Sequence, residues 1–129
     1  MAALDAFFTT LRQKIHVKTQ YNANNRQCSI WTGAKTSDGR YGRLVVTFPD
    51  HSRKDMRVTR LLYMMKHETL QIPTHDIENR RLEMSHLCHE SLCINTDHLI
   101  LESHTINMER EHCANQGFCA KSHHPHCIF

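Results

Sequence analysis

The sequence predicts a small mixed α+β domain in which antiparallel β-hairpins alternate with helices. The chain has 129 residues, of which 40% are hydrophobic, and this length suits one domain. Apolar residues follow helical spacing near the N-terminus and strand-like alternation farther along. Only four Gly and three Pro are present, and no polar linker or internal repeat marks a boundary. We therefore expect a single domain over residues 1–129.

The first expected element is an amphipathic helix over residues 4–16, LDAFFTTLRQKIH. Its apolar positions recur at helical spacing and predict a buried face: Leu4, Phe7, Phe8, Leu11 and Ile15. The turn-forming stretch YNANNRQ follows. CSIWTG then predicts a short strand that begins at Cys28, stops at Gly33 and places Trp31 in the core.

A basic β-hairpin is expected next. Alternation in RYGRLVVTF (40–48) predicts a strand, PDHSRKD (49–55) a polar connection, and MRV (56–58) the returning strand. A two-stranded ribbon fits the major groove of DNA, although a solvated charged face would have the same composition. Six basic residues fall in or beside this hairpin: Arg40, Arg43, Arg53, Lys54, Arg57 and Arg60. The first five are the candidate DNA-binding residues.

Thr59 is expected to cap a helix over residues 60–68, RLLYMMKHE, and residues 71–83 are expected to form a loop. The inward positions of this helix are Leu61, Leu62, Met64 and Met65. The next segments predict a strand (RLEMSHLC), a cysteine-containing loop, a second strand (HLILES) and a helix (HTINMEREH).

Cysteine and histidine are concentrated in the second half of the chain. There are six Cys and twelve His, and five of the cysteines lie between Cys88 and Cys127. Three disulfides in a small secreted protein would also use six cysteines. However, the N-terminus lacks a signal pattern, no apolar run is long enough to cross a membrane, and interleaved histidines suit zinc rather than disulfides. We expect zinc in a reducing compartment.

Cys88, Cys93 and His98 have the spacing C-x4-C-x4-H, which is compact enough for one loop to wrap a tetrahedral zinc. A fourth ligand is required. Cys28 is the remaining cysteine outside the C-terminal half, so by elimination it is expected to complete this site.

A second group contains Cys113, Cys119 and Cys127, with His123 as the preferred fourth ligand. His124 competes with it because spacing does not separate adjacent histidines. Closed Cys₃His sites leave no open position for water, so both zinc ions are expected to be structural.

We therefore expect any catalysis to come from residues outside the two zinc sites. His86 falls near the end of the strand before the first zinc loop, and Asn107 falls in the first turns of the last helix. An imidazole can deprotonate water while a carboxamide oxygen holds a hard divalent cation. The alternatives are a core or surface histidine and an ordinary helix asparagine.

SHLCHESLCINTDHLILES (85–103), followed by N-x5-C-x5-C-x3-H-x3-C, resembles the His-Cys box homing endonucleases of the His-Me finger group, over roughly residues 28–127. The resemblance implies a ββα-metal core at about 83–112 and a second zinc cluster at 113–127. It implies His86 as general base and Asn107 as the protein ligand of one catalytic Mg²⁺, which Mn²⁺ or Ca²⁺ can replace in binding. An arginine on the sheet, Arg53 or Arg57, would contact the scissile phosphate.

The function implied is metal-dependent hydrolysis of double-stranded DNA, with two structural Zn²⁺ ions. A homodimer would cut both strands of a pseudo-palindromic site, whereas a monomer would nick. The location would be intracellular, and nuclear in a eukaryote. One alternative is a catalytically inactive, sequence-specific DNA-binding module on the same fold; another is a protein-interaction module without nucleic acid, which would leave the basic hairpin unexplained.

Overall fold

The computed structural model describes residues 2–119 and 123–129; Met1 of the predicted domain and residues 120–122 of the predicted second cluster lie outside them. The elements in chain order are α1 Ala2–His16, β1 Thr19–Gln20, β2 Ile30–Trp31, β3 Arg43–Thr47, β4 Arg53–Arg57, α2 Val58–His67, β5 Leu82–His86, β6 Leu99–Ser103 and α3 His104–Gln116. The strands form three antiparallel pairs, β1 with β2, β3 with β4 and β5 with β6. The predicted α+β class with antiparallel hairpins is confirmed.

The hydrophobic core lies between α1, α2 and the strands that face them. The predicted inner face of α1 is buried at three positions, with Leu4 and Phe7 packed against the core from its edge. The buried apolar residues of the two helices are Phe8, Leu11, Ile15, Val58, Leu61, Leu62 and Met64. Met65 is partly buried. The apolar periodicity therefore predicted the packed faces of both helices.

Trp31 is 1% exposed and packs against two glycines. A Cβ atom at Gly33 would lie 2.5 Å from Cζ2 of Trp31, and one at Gly42 would lie 2.5 Å from Cδ1. The indole Nε1 donates to the carbonyl of Ala34 at 2.7 Å, so the buried N–H is satisfied. This close packing joins β2 to the start of the basic hairpin.

Three predicted boundaries in the first half were wrong. The return strand β4 begins at Arg53, inside the predicted polar connection, because the turn needs only residues 49–52. Thr59 is not a helix cap: α2 begins at Val58 directly after β4, and its N-cap Arg57 makes no side-chain capping bond. The strand predicted from Cys28 is limited to Ile30–Trp31, and the backbone before it forms a turn in which Ala23 N donates to the Cys28 carbonyl.

The predicted order of strand, loop, strand and helix in the second half is confirmed. β5 and β6 pair so that His86 lies opposite Leu99. The Ser103 hydroxyl caps α3 by accepting from the Ile106 amide at 3.3 Å. α3 ends at Gln116, beyond the predicted residue 112, where Gly117 adopts a left-handed φ of 82°. Among the helices of the described residues, none has the length and apolar character needed to span a bilayer.

Candidate zinc centres and active-site cleft

The first Cys/His cluster brings together Cys28, Cys88, Cys93 and His98. Their ligand atoms all lie within 4.8 Å of one another, and all four residues are buried. The Nδ1 atom of His98 lies 3.5 Å from the Cys93 sulfur and 3.8 Å from the Cys28 sulfur. Four buried soft or borderline donors from two distant parts of the chain fit a tetrahedral zinc ion.

Two thiols of this cluster, those of Cys88 and Cys93, share a hydrogen bond that shifts their pKa values in opposite directions. The bond from Cys93, together with burial, raises the pKa of Cys88. The bond from Cys88 lowers the pKa of Cys93 to about 5. Ionisation of one buried thiol therefore opposes ionisation of the next, and a cation is needed to stabilise several thiolates together. The donor set fits zinc.

The second cluster contains Cys113, Cys119, His123 and Cys127, again with ligand atoms within 4.8 Å of one another. The Nδ1 atom of His123 lies 3.2 Å from the Cys119 sulfur, 3.7 Å from that of Cys113 and 4.0 Å from that of Cys127. His123 is buried, whereas His124 is exposed and its ring lies 5.0 Å from the ring of His126. Of the two competing histidines, His123 is the one beside the thiols.

Two residues of α3 that were not among the predicted site residues support the second cluster. Glu109 and Arg110 precede Cys113 by four and three positions, so all three share one side of α3. The Glu109 carboxylate accepts from Nε2 of His123 at 3.1 Å, which leaves Nδ1 facing the thiols. This spacing from Cys113 was the signal available in the sequence.

Arg110 is 1% exposed and joins this cluster to β6. Its Nε and Nη2 atoms donate to the Glu102 carboxylate at 2.5 and 3.1 Å, and Nη1 donates to the Cys127 sulfur at 3.4 Å. Burial alone would lower the pKa of Arg110, but the bonds to Glu102 and Cys127 raise it. A fixed positive charge therefore lies beside a cluster of thiols that become anionic on metal binding.

A polar cleft lies between the basic hairpin, β5 and α3. It consists of two adjoining cavities of about 300 and 450 Å³, both lined by Tyr41, Met84, His86 and Asn107. The arginines that line the two cavities are Arg40, Arg57, Arg60, Arg81 and Arg110. A larger, more apolar cavity of about 790 Å³ beside α1 contains neither His86 nor Asn107. The cleft is therefore the place where the candidate chemistry and positive charge coincide.

The tautomer of His86 is fixed by a hydrogen bond to one of its two ring nitrogens. Nε2 lies 3.1 Å from the carbonyl oxygen of Cys93, and because a carbonyl only accepts, Nε2 carries the proton. Nδ1 is therefore the atom with the lone pair. Burial lowers the pKa of His86 to about 4, against the opposing effect of the Cys93 hydrogen bond. Within residues 2–119 and 123–129, no hydrogen-bond partner lies at Nδ1. A neutral imidazole with this nitrogen available can accept a proton.

Asn107 has one end of its carboxamide engaged. Its Nδ2 donates to Oε1 of Glu83 at 2.6 Å, and Nδ1 of His104 lies 2.9 Å from the same oxygen. In the described part of the chain, nothing donates a hydrogen bond to Oδ1 of Asn107. Burial would raise the pKa of Glu83, but the bonds from Asn107 and His104 lower it. A hard oxygen donor and an ionised carboxylate therefore lie together, which suits Mg²⁺.

The candidate DNA-binding residues do not all lie on one surface. Arg43 and Arg57 face each other across the β3/β4 ladder, and Arg53 lies farther along the same exposed face. Lys54 alternates to the opposite face, where its Nζ lies 5.5 Å from the Phe48 ring centroid. Arg40 precedes the hairpin on the rim of the cleft.

Of the two candidates for the scissile phosphate, Arg57 lines the cleft. Its guanidinium lies 4.2 Å from the centroid of the Tyr41 ring, and that ring is 6.3 Å from the His86 ring. Arg53 is exposed and does not line either cavity. Arg60, which the sequence places beside the hairpin, also lines the cleft. Two further cleft arginines, Arg81 and Arg110, were not among the sequence candidates, because they come from the segment before β5 and from α3, which the sequence does not place near the hairpin.

Comparison with known proteins gives one family. A family model described as the zinc-binding loop region of homing endonuclease matches residues 18–129. This range includes both Cys/His clusters and the residues that line the cleft, and it begins after the end of α1. No curated protein and no solved structure matches the chain.

Proposed function

Because the chain belongs to the homing endonuclease family defined by this zinc-binding loop region, we propose that it is a divalent-metal-dependent endonuclease acting on double-stranded DNA. The observation that carries the proposal is that His86, with a free Nδ1, and Asn107, with a free Oδ1, line one cleft. Arginines surround them, as a phosphodiester substrate requires.

His86 is the general base in this proposal. Nδ1 takes a proton from a water molecule as the water oxygen attacks phosphorus. The bond from phosphorus to the 3′ oxygen breaks, and the 3′ oxygen leaves with the electron pair and takes a proton from solvent, which gives a 5′-phosphate and a 3′ hydroxyl. The Cys93 carbonyl holds Nε2–H, so the ring presents Nδ1 without a change of tautomer. Burial favours the neutral ring that this step needs.

Asn107 would hold the catalytic cation through Oδ1. A bound divalent cation supplies charge stabilisation at the phosphate and at the departing 3′ oxygen. Arg57 is the better candidate for a phosphate contact because it lines the cleft, and its position over Tyr41 restrains the guanidinium.

The remaining parts of the proposal concern support and binding. The two Cys/His clusters would each hold one structural zinc, and residues 1–129 would form one domain with the ββα-metal core at about 83–112. The exposed hairpin face with Arg43, Arg53 and Arg57 would contact the DNA backbone.

The test is cleavage of supercoiled plasmid by purified zinc-loaded protein, with Mg²⁺ or with EDTA. We expect Mg²⁺-dependent cutting that falls about 10²- to 10⁴-fold in His86→Ala. His89→Ala is the matched control, because His89 also lines the cleft but only the cavity that lacks Arg57. Equal loss in both variants, or full activity of His86→Ala, would refute the assignment of the base.

The products of the same assay also test the oligomeric state and the alternative of an inactive DNA-binding module. Linear product formed without a nicked intermediate would support a homodimer, whereas accumulation of nicked circles would support a monomer. Salt-dependent DNA binding with no cutting under any divalent metal would favour the inactive DNA-binding module.

A further inference from the structure

We propose that Glu83 is the positioning residue of the catalytic metal site, orienting the Asn107 carboxamide so that Oδ1 faces the cation. The inference rests on the proposed function, in which Asn107 is the metal ligand. Glu83 lies on β5, where it pairs across the ladder with Glu102, and Asn107 is the fourth residue of α3. The contact between Glu83 and Asn107 therefore joins β5 to α3, and both elements line the cleft.

The geometry removes an ambiguity in the carboxamide. Rotation of an asparagine side chain by half a turn exchanges its oxygen and its NH₂ group. The Glu83 carboxylate, when ionised, only accepts hydrogen bonds, so the group that meets Oε1 at 2.6 Å must be Nδ2 of Asn107. Oδ1 is thereby held on the opposite side. With the reverse rotamer, two oxygens would face each other and the metal would meet an NH₂ group.

Glu83 is itself held in place. His104, the first residue of α3, places Nδ1 2.9 Å from the same Oε1 atom. The Glu83 side chain is 28% exposed, so it is partly shielded from competing water. Contacts from two residues of α3 therefore converge on one oxygen of Glu83 and fix its carboxylate group.

The neighbouring carboxylate has a different role. Glu102, opposite Glu83 in the ladder, is bound through both oxygens by Arg110 and is directed to the second Cys/His cluster. Glu83 lines the cavity that contains Asn107, whereas Glu102 lines neither cavity of the cleft. Of the two paired glutamates, only Glu83 contacts Asn107 within the described residues, so the positioning role falls to Glu83.

The test measures Mn²⁺ affinity directly, by calorimetric titration of the zinc-loaded chain without DNA. Glu83→Met removes the acceptor while keeping side-chain length, and we expect its affinity to fall about 10- to 100-fold. Glu83→Gln retains an oxygen that can accept from Asn107, so it should recover most of the native affinity. Glu111→Ala is the control for loss of one negative charge, since Glu111 lines the cleft without a bond to Asn107.

The Mn²⁺ affinity of Asn107→Ala distinguishes failure of the proposed metal site from failure of the positioning role of Glu83. If Asn107→Ala does not weaken Mn²⁺ binding, the proposed metal site fails and this inference fails with it. If Asn107→Ala abolishes binding while Glu83→Met keeps native affinity, the positioning role alone is overturned. An equal loss in Glu83→Gln or in Glu111→Ala would also overturn it, because charge rather than orientation would then be the cause. Two zinc ions per chain in each variant establish that it is folded.

Discussion

At the scale of single residues, the cleft depends on which atom of each polar side chain remains free. The Cys93 carbonyl occupies Nε2 of His86, and the Glu83 carboxylate occupies Nδ2 of Asn107. In each case the partner can only accept, so the free atom is one with a lone pair. In the proposed function, neighbouring groups thus prepare a base and an oxygen ligand before substrate arrives.

Arg57 and Arg53 are expected to differ in what they contribute to cleavage. Arg57 lines the cleft, so Arg57→Ala should lower the cleavage rate at saturating DNA by about 10²- to 10³-fold. Arg53→Ala should leave that rate near native but weaken binding and reduce the slope of log affinity against log salt by about 1. Single-turnover cleavage and salt titrations of binding provide the two measurements. The reverse pattern would transfer the phosphate contact to Arg53.

At the scale of elements, the sequence predicted what periodicity and ligand spacing can carry. The buried faces of α1 and α2 and the order β5, loop, β6, α3 follow from local patterns. The start of β4 at Arg53 was missed because its residues, RKDMR, are mostly charged and resemble a turn. Thr59 looked like a cap because the sequence does not reveal that β4 continues directly into α2.

The cleft contacts could not be predicted for a different reason. Residues 83 and 107, like 102 and 110, come together only after β5, β6 and α3 have packed. Single-sequence reasoning indicated His86 and Asn107 by their chemistry and motif, but it gave no reason to select Glu83 from thirteen acidic residues. Arg81 was missed likewise, because its approach to the hairpin depends on tertiary packing.

The α3–β6 contact is expected to be a major source of stability. Arg110→Leu leaves the Glu102 carboxylate, which is 10% exposed, without its partner, and should cost about 3–5 kcal/mol of unfolding free energy. The double variant Arg110→Leu with Glu102→Leu removes both charges and should recover much of this loss. Urea unfolding of the zinc-loaded proteins measures both. Equal destabilisation by the single and double variants would show that packing, rather than the unpaired charge, dominates.

At the scale of the whole molecule, the first Cys/His cluster connects the two halves of the chain. Cys28 precedes β2, and its three partners lie in the connection between β5 and β6, with His98 directly before β6. Backbone bonds reinforce the connection: Trp31 N donates to the Leu92 carbonyl at 2.9 Å, and Ile94 N donates to Ser29 at 2.7 Å. The loop that supplies the Cys93 carbonyl to His86 is therefore held by backbone hydrogen bonds at Leu92 and at Ile94, on either side of Cys93.

The ligand sets predict the zinc content of matched variants. The native chain should contain two zinc ions, His123→Ala about one, and His124→Ala two, because His123 lies beside the thiols and His124 is exposed. Each zinc contributes on the order of 10 kcal/mol of apparent binding free energy, so a strong chelator should unfold the native chain. Metal analysis and circular dichroism test both statements. Loss of a zinc in His124→Ala but not in His123→Ala would reverse the assignment.

The two clusters close chain segments of very different length. Cys113 and Cys127 are 14 positions apart, whereas Cys28 and Cys88 are separated by 60. The entropic cost of bringing chain ends together increases with the length between them. We therefore expect loss of a metal ion from the second cluster to open the chain locally, near the C-terminal end of α3. Loss from the first would remove a link between β2 and the loop beside His86, so we expect occupancy of that cluster to report on the integrity of the whole cleft.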